Sequence, residues 1–361
     1  MKITQITLYM VNVPERKWWW SDDVYGKPGN QGSEHGIVEA QTDEGLTGLT
    51  EIESNTPMEI VEATLTAWLG TDVLQTNLAE QTPTMQGPFE QLILDLRGQA
   101  LGVPIWQMLG GRLRDRIFVT QCTGYKTLEH TAEDAQWGWE HDFRAYKMKC
   151  ITGAEKTPEQ RIRYITDRVE AIHDILPDMI VRPDIRWRLD EVWVAQELAR
   201  RLQGHRIDSL ESPIKKRAAA GTYSEWRRLR QTIPFPIADH ISGEDIITAF
   251  QAEAIDYAII GCKSYIETIY QSRLAHQLGI GGWSQTVSYG PGAAMGLHTA
   301  ACMPNLTQPY DMIGPMAWEH TLVNEDFPFE NGCFLVPERP GLGYTLDHQA
   351  VGKYLIQKKC L

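Results

Sequence analysis

At 361 residues, with 42% hydrophobic and 22% charged side chains, the chain is long enough for one large globular domain and a smaller companion. Its formal net charge of −13 argues against nucleic acid or an anionic membrane as a partner. No apolar run approaches the roughly 18 residues of a membrane span, and the six scattered cysteines (Cys122, Cys150, Cys262, Cys302, Cys333 and Cys360) form no CxxC pair, as expected of a reduced, cytoplasmic protein without a disulfide framework or zinc site.

Met1-Lys2-Ile3-Thr4 opens into a β-rich stretch over 3–13, with no signal-peptide core. Residues 17–30 are rich in turn formers and lack a period, so they read as a loop. It carries three consecutive tryptophans, Trp18–Trp20, which either pack on the body or form a lid. A hairpin follows over 35–52 with its turn at Asp43-Glu44-Gly45. Helices are expected over 58–69 and 89–100, the second stopping at Gly102-Val103-Pro104. A short helix over 105–109 ends at Gly110-Gly111. Residues 1–112 therefore read as an N-terminal α+β capping domain.

From there strand and helix patterns alternate. Strands are expected at 117–123, 143–150, 179–184, 207–211, 236–239, 257–262, 282–285 and 306–310, each but the last followed by a helix. Such regular alternation argues for an α/β fold of the (β/α)7β TIM-barrel type over 113–320 rather than an open sheet. Residues 321–361 are expected to return to the cap.

The second barrel strand contains Lys147-Met148-Lys149. Alternation along a strand sends both lysines to one face. If that face is the barrel interior, two ammonium groups enter one cavity. The next three strands end in Asp184, Glu211 and Asp239, each about one strand-plus-helix unit after the last. Chemistry in such barrels sits at the C-terminal strand ends. A lone acidic strand end is often only a helix cap, but three in series repel one another unless a cation neutralises them. An all-oxygen donor set suits Mg²⁺.

The order of these motifs resembles the enolase superfamily, in its mandelate racemase and muconate lactonizing branch, over nearly the whole chain. The hairpin Thr42-Asp43-Glu44-Gly45-Leu46-Thr47-Gly48 is similar to that family's cap. So is the stretch from Asp95 to Gly102-Val103-Pro104 and on to Leu109-Gly110-Gly111. Lys147-Met148-Lys149, Leu210-Glu211-Ser212-Pro213 and Pro340-Gly341-Leu342-Gly343 match its KxK strand, its fourth-strand acid and its closing turn. The resemblance implies that Asp184, Glu211 and Asp239 are Mg²⁺ ligands, Lys149 the proton-abstracting base and Lys147 its neighbour. It implies removal of a proton α to a carboxylate, with Mg²⁺ stabilising the enediolate.

Departures from the family pattern bear on which reaction follows. The sixth strand ends near Gly261 where the family places Asp or Lys, and the seventh ends at Gln285 where it places His. Lys263 lies two residues past the expected place, either swinging in or lying on the surface. His240 follows Asp239 and is either a second acid–base group or a support for a metal ligand. The third strand reads Asp184-Ile185-Arg186 in place of Asp-x-Asn. Arg186, Trp19 and Gln285 are candidate substrate contacts. The basic run Lys215-Lys216-Arg217 either binds an anionic part of the substrate or is a solvated loop. Racemisation needs a base on each face of the α-carbon, whereas a syn elimination needs only one group. The expectation is therefore a lyase or isomerase acting on a small carboxylate, foremost an acid-sugar dehydratase. The alternatives are a cycloisomerase or epimerase on the same scaffold, and a non-catalytic relative that binds metal and ligand. A homo-oligomer is expected.

Overall fold

The structure, a computed structural model, describes all residues except 20–31, 54–55, 79–84, 218–222 and 262. The chain opens with strands β1 (Ile3–Val13), β2 (Ser33–Thr42) and β3 (Thr47–Ile52), joined antiparallel in that order. The turn between β2 and β3 passes through Gly45 at a φ of 82°, a conformation glycine adopts without steric cost. Helices α1 (Met58–Trp68), α2 (Gln86–Leu101) and α3 (Ile105–Met108) follow. Helix α2 ends where the sequence places its stop, at Gly102 in the left-handed conformation. Its Gly98 lies against the closing turn: a Cβ there would come within 2.7 Å of the Gly341 backbone.

The barrel begins with β4 (Arg116–Phe118) and β5 (Gln121–Cys122), followed by α4 (Leu128–Glu140), β6 (Ala145–Lys149), α5 (Pro158–Ile175), β7 (Ile180–Asp184), α6 (Val192–Arg201), β8 (Leu210–Glu211) and α7 (Ser224–Arg230). It continues with β9 (Ile237–His240), α8 (Glu244–Gln251), β10 (Tyr257–Ile259), α9 (Tyr265–Gln277), β11 (Gly281–Trp283), β12 (Gln285–Val287), α10 (Gly290–Cys302) and β13 (Asp311–Ile313). Strands β5 to β11 form one parallel sheet in chain order. The segment 306–313 closes it: Leu306 bridges Gly282, β13 pairs with β12, and Tyr310 bridges Val119, all parallel. The TIM-barrel architecture expected from the alternating pattern is therefore present.

Local chemistry explains the units. Helix α5 starts at a capping box in which Thr157 and Gln160 exchange hydrogen bonds, with Pro158 in the first turn. It buries Ile162, Ile165, Val169 and Ile172, one helical face. Helix α10 is buried along its whole length. Glu51, at the end of β3, accepts from the Tyr289 and Gly292 backbone N–H groups at 2.7 and 3.0 Å. A carboxylate suits the N-terminal end of a helix, and here it ties cap to barrel.

Three strands differ from expectation, the seventh because 282–285 is broken into β11, in the barrel sheet, and β12, which pairs with β13. The stretch 117–123 is split: Tyr310 N donates to Phe118 O, then Val119 N donates to Gly332 O, so the chain changes partners and β4 leaves the barrel sheet. The eighth strand pairs later than 306–310, because Pro309 has no N–H to give a ladder and regular pairing resumes at Asp311. Past the barrel, β14 (Phe329–Glu330) pairs with β15 (Cys333–Leu335) and β15 with β4, and after α11 (His348–Tyr354) the last strand, β16 (Leu355–Cys360), pairs antiparallel with β1. Among the described residues no helix is long and apolar enough to cross a membrane.

Candidate active site

Strand register sets the site. Lys149 on β6 is level with Asp184 on β7, and Asp184 with Glu211 on β8. Glu211 is in turn level with Ala238 on β9, one residue before Asp239. The two lysines do share the interior face. Lys147 is buried and Lys149 partly exposed. Below this rim lies a second layer, in which Lys147 is level with Arg182.

The lower layer is a closed ionic network. Lys147 Nζ lies 2.8 Å from Glu211 Oε1, 2.8 Å from Asp311 Oδ2 and 3.6 Å from Asp184 Oδ2. Arg182 reaches Asp208 at 2.6 Å and Asp311 at 2.9 Å, with its guanidinium 3.6 Å above the Trp283 ring. Thr120 Oγ1 and Trp283 Nε1 also donate to Asp311, at 2.8 and 3.0 Å. Burial alone would lower the Lys147 pKa, but Asp311, Glu211 and Asp184 together hold it well above the ordinary lysine range. Burial likewise pushes Asp311 up, and Lys147 with Arg182 overcomes it, so the carboxyl lies below its usual range.

At the rim Asp184 and Asp239 each meet a lysine, and Glu211 meets His240. Lys149 Nζ is 2.7 Å from Asp184 Oδ2. Burial opposes the Asp184 charge, but Lys147 and Lys149 outweigh it and depress its pKa. Burial opposes the Lys149 charge too, and Asp184 reverses it, raising that pKa. Asp239 Oδ1 accepts from Ser212 Oγ at 2.8 Å and Trp187 Nε1 at 3.0 Å, while Lys216 Nζ stands 2.6 Å from Oδ2. His240 Nε2 is 3.3 Å from Glu211 Oε1.

Whether a metal suits this set is decided by its donors. As placed, no three His, Cys, Asp or Glu side chains among the described residues converge as a metal cage; the carboxylates face lysines instead. Two oxygens are nonetheless buried without a hydrogen bond, Glu211 Oε2 and Asp239 Oδ2. Three carboxylates on neighbouring strands with two such oxygens fit a hard divalent cation of the Mg²⁺ type.

Other candidates are dispersed. Lys263 and Gln285 are exposed and line a cavity of about 610 Å³ between cap and barrel, together with Glu51, Glu53, Met85 and Gly261. Gly261, two residues beyond β10, has no side chain, and a Cβ on it would meet nothing within 4 Å. Arg186 is exposed and donates to Tyr125 Oη at 3.0 Å. Trp19 sits in a short 3₁₀ turn, its carbonyl accepting from Gly124 N beyond the first barrel strand. The rest of the expected lid, 20–30, lies outside the described residues. Of the basic run only Lys216 reaches the acids; Lys215 pairs with Asp190, and Arg217 with Glu225.

Sequence reasoning missed Asp311, Trp187 and the placement of Lys216. Asp311 had a signal, a lone acid in the apolar run Tyr310-Asp311-Met312-Ile313. Trp187 had none: it reaches Asp239 because Arg186 and Trp187 both take positive φ values, 55° and 60°. Such conformations are costly for side-chain-bearing residues and cluster at functional sites.

With this geometry in view, comparison with known proteins is direct. A family model described as "Enolase C-terminal domain-like" matches residues 130–350, more than half of the chain. The chain is 26% identical over 291 residues to muconate cycloisomerase 1 of Pseudomonas putida, covering 77% of this chain and 73% of that protein. It is 27% identical over 298 residues to D-xylonate dehydratase of Haloferax volcanii, covering 74% and 68%. The crystal structure of N-succinyl Arg/Lys racemase from Bacillus cereus shares its fold, with a TM-score of 0.83 at 20% identity over the whole of both chains. A Burkholderia xenovorans structure of the same fold is bound to magnesium and fumarate, with a TM-score of 0.77 at 19% identity over 98% of this chain and 96% of that one.

Proposed function

The chain belongs to the mandelate racemase/muconate lactonizing branch of the enolase superfamily, and we propose that within it the chain is a magnesium-dependent lyase that removes a proton α to a carboxylate and expels water, acting on a sugar acid. Its curated relatives are isomerases, racemases and a dehydratase, so the class of isomerase or lyase is common ground and the dehydration is our reading. The observation that carries it is one-sided: Lys149 is a partly exposed lysine at the second strand end, whereas the sixth strand, β10, ends at Ile259 and is followed by Gly261, which offers no side chain.

Asp184, Glu211 and Asp239 would hold the metal. Bound there, Mg²⁺ would supply the positive charge that acidifies the α-proton and would cancel the Asp184 attraction that keeps Lys149 protonated. Lys149 takes the proton on its Nζ and is then an acid on the same face, which a syn elimination uses to protonate the departing hydroxyl. Lys147, locked by Asp311 and Glu211, stays charged and sustains a positive field beside Lys149. His240, with Nε2 against Glu211, orients that carboxylate rather than facing substrate. Arg186 and Trp19 stand at the rim, where they would meet the distal hydroxyls.

A second reading has one observation in its favour. Lys263 and Gln285 line the cap–barrel cavity, and a lysine there is the group a cycloisomerase or epimerase needs. A panel of sugar acids incubated with Mg²⁺ in D₂O separates the readings. Loss of water with single-face exchange supports the dehydratase. Exchange with stereochemical inversion and no loss of water supports an epimerase through Lys263. Saturable binding without exchange by any member supports a non-catalytic relative and ends both.

A further inference from the structure

Lys216 belongs to no strand or helix; it projects from the segment after β8 and ends at the fifth-strand acid. Its Nζ lies 2.6 Å from Asp239 Oδ2 and donates to His240 O at 3.2 Å. Asp239 is fully buried, and its oxygens differ. Oδ1 accepts from Trp187 and Ser212. Oδ2 has no hydrogen bond, although the Lys216 ammonium stands beside it as an ion-pair partner. A buried carboxylate without a counter-charge is strongly disfavoured, so the ammonium supplies what the backbone does not.

The other two lysines are held differently. Lys147 is wedged between Glu211 and Asp311 in the barrel interior, and Lys149, 23% exposed, stands on strand β6 and pairs with Asp184. Lys216 is a quarter exposed, on a long flexible stem. Its ammonium can reach solvent by rotation of its own side chain.

We propose that Lys216 is a built-in counter-cation of Asp239 that competes with the divalent metal: the ammonium occupies Asp239 Oδ2 in the metal-free protein, withdraws when the metal binds, and so sets the metal affinity of the site. This rests on the reading of Asp239 as a metal ligand. An ammonium and a divalent cation on one oxygen repel each other, so each disfavours the other there. The apparent affinity is then the intrinsic affinity reduced by the fraction of molecules with Lys216 withdrawn; a pair closed 90 to 99% of the time weakens binding by about 10- to 100-fold.

The test is calorimetric titration of the chelator-treated full chain with Mg²⁺, comparing wild type with Lys216→Met, Lys216→Gln, Lys216→Arg and Asp239→Asn. Either neutral variant is expected to bind Mg²⁺ at least ~10-fold more tightly, and Lys216→Arg, which keeps the charge, to stay well short of that gain. The metal-free melting temperature of the neutral variants should fall while their Mg²⁺-loaded value matches wild type. A packing role alone would not tighten metal binding, so unchanged or weakened affinity in both neutral variants overturns the proposal. If Asp239→Asn leaves Mg²⁺ affinity intact, the ligand reading itself fails; if it weakens binding while the Lys216 variants do not tighten it, the competition alone fails.

Discussion

Lys147 Nζ and Asp311 Oδ2 lie 2.8 Å apart in the barrel interior, joining the second strand to the eighth. Both groups are almost wholly out of water. Asp311 also holds Arg182, so one carboxylate balances two buried cations. Breaking a buried pair from one side leaves its partner uncompensated, and typically costs about 3–5 kcal/mol. Asp311→Asn is expected to lose that much in urea unfolding at neutral pH. A loss under about 1 kcal/mol, the scale of exposed pairs, would show that these charges are solvated.

Asp239 and His240 are neighbours with different partners. Asp239 presents a buried oxygen without a hydrogen bond, whereas His240 touches the site through Glu211 Oε1 at 3.3 Å. Asp239→Asn should weaken Mg²⁺ binding far more than His240→Asn, with the histidine variant within about 10- to 100-fold of wild type, as for groups that orient a ligand. Titration of the two variants side by side decides it, and the reverse order would exchange their roles.

His298 in α10 donates from Nε2 to Leu342 O at 3.1 Å, in the closing turn. Burial pushes its pKa down to about 4, against a smaller opposing effect of that bond. The unfolded chain would take up the proton near 6.5. Its contribution to stability is therefore complete above pH 6.5 and lost as pH falls from there to about 4, with a slope of at most about 1.4 kcal/mol per pH unit. Asp95, which accepts from Leu342 N at 2.8 Å, is raised to about 6 by burial and runs the other way, losing stability as pH rises. A difference measurement isolates the histidine: the stability gap between wild type and His298→Gln should shrink as pH drops from 6.5 to 4. A constant gap would mean that His298 titrates normally.

The barrel was legible because strand and helix periods alternate over most of the chain, and the KxK strand and the acids Asp184, Glu211 and Asp239 stand in register order. Side-chain direction follows from strand alternation, so the inward lysines could be read before any contact was known. The counter-charges could not. Asp311 reaches Lys147 only because 306–313 closes the barrel between β12 and Val119, a fact of topology. Trp187 meets Asp239 through two successive left-handed residues that neither sequence period nor propensity signals. Lys216 looked like any solvated basic run until the loop carried one of its three cations inward.

If Lys149 moves the proton, its removal abolishes exchange and leaves the metal site intact. On a sugar acid that exchanges its α-proton, Lys149→Ala in D₂O with Mg²⁺ should show no α-deuterium incorporation above background, while calorimetry shows Mg²⁺ still bound. Incorporation at the wild-type rate in a variant that binds Mg²⁺ normally would contradict the assignment.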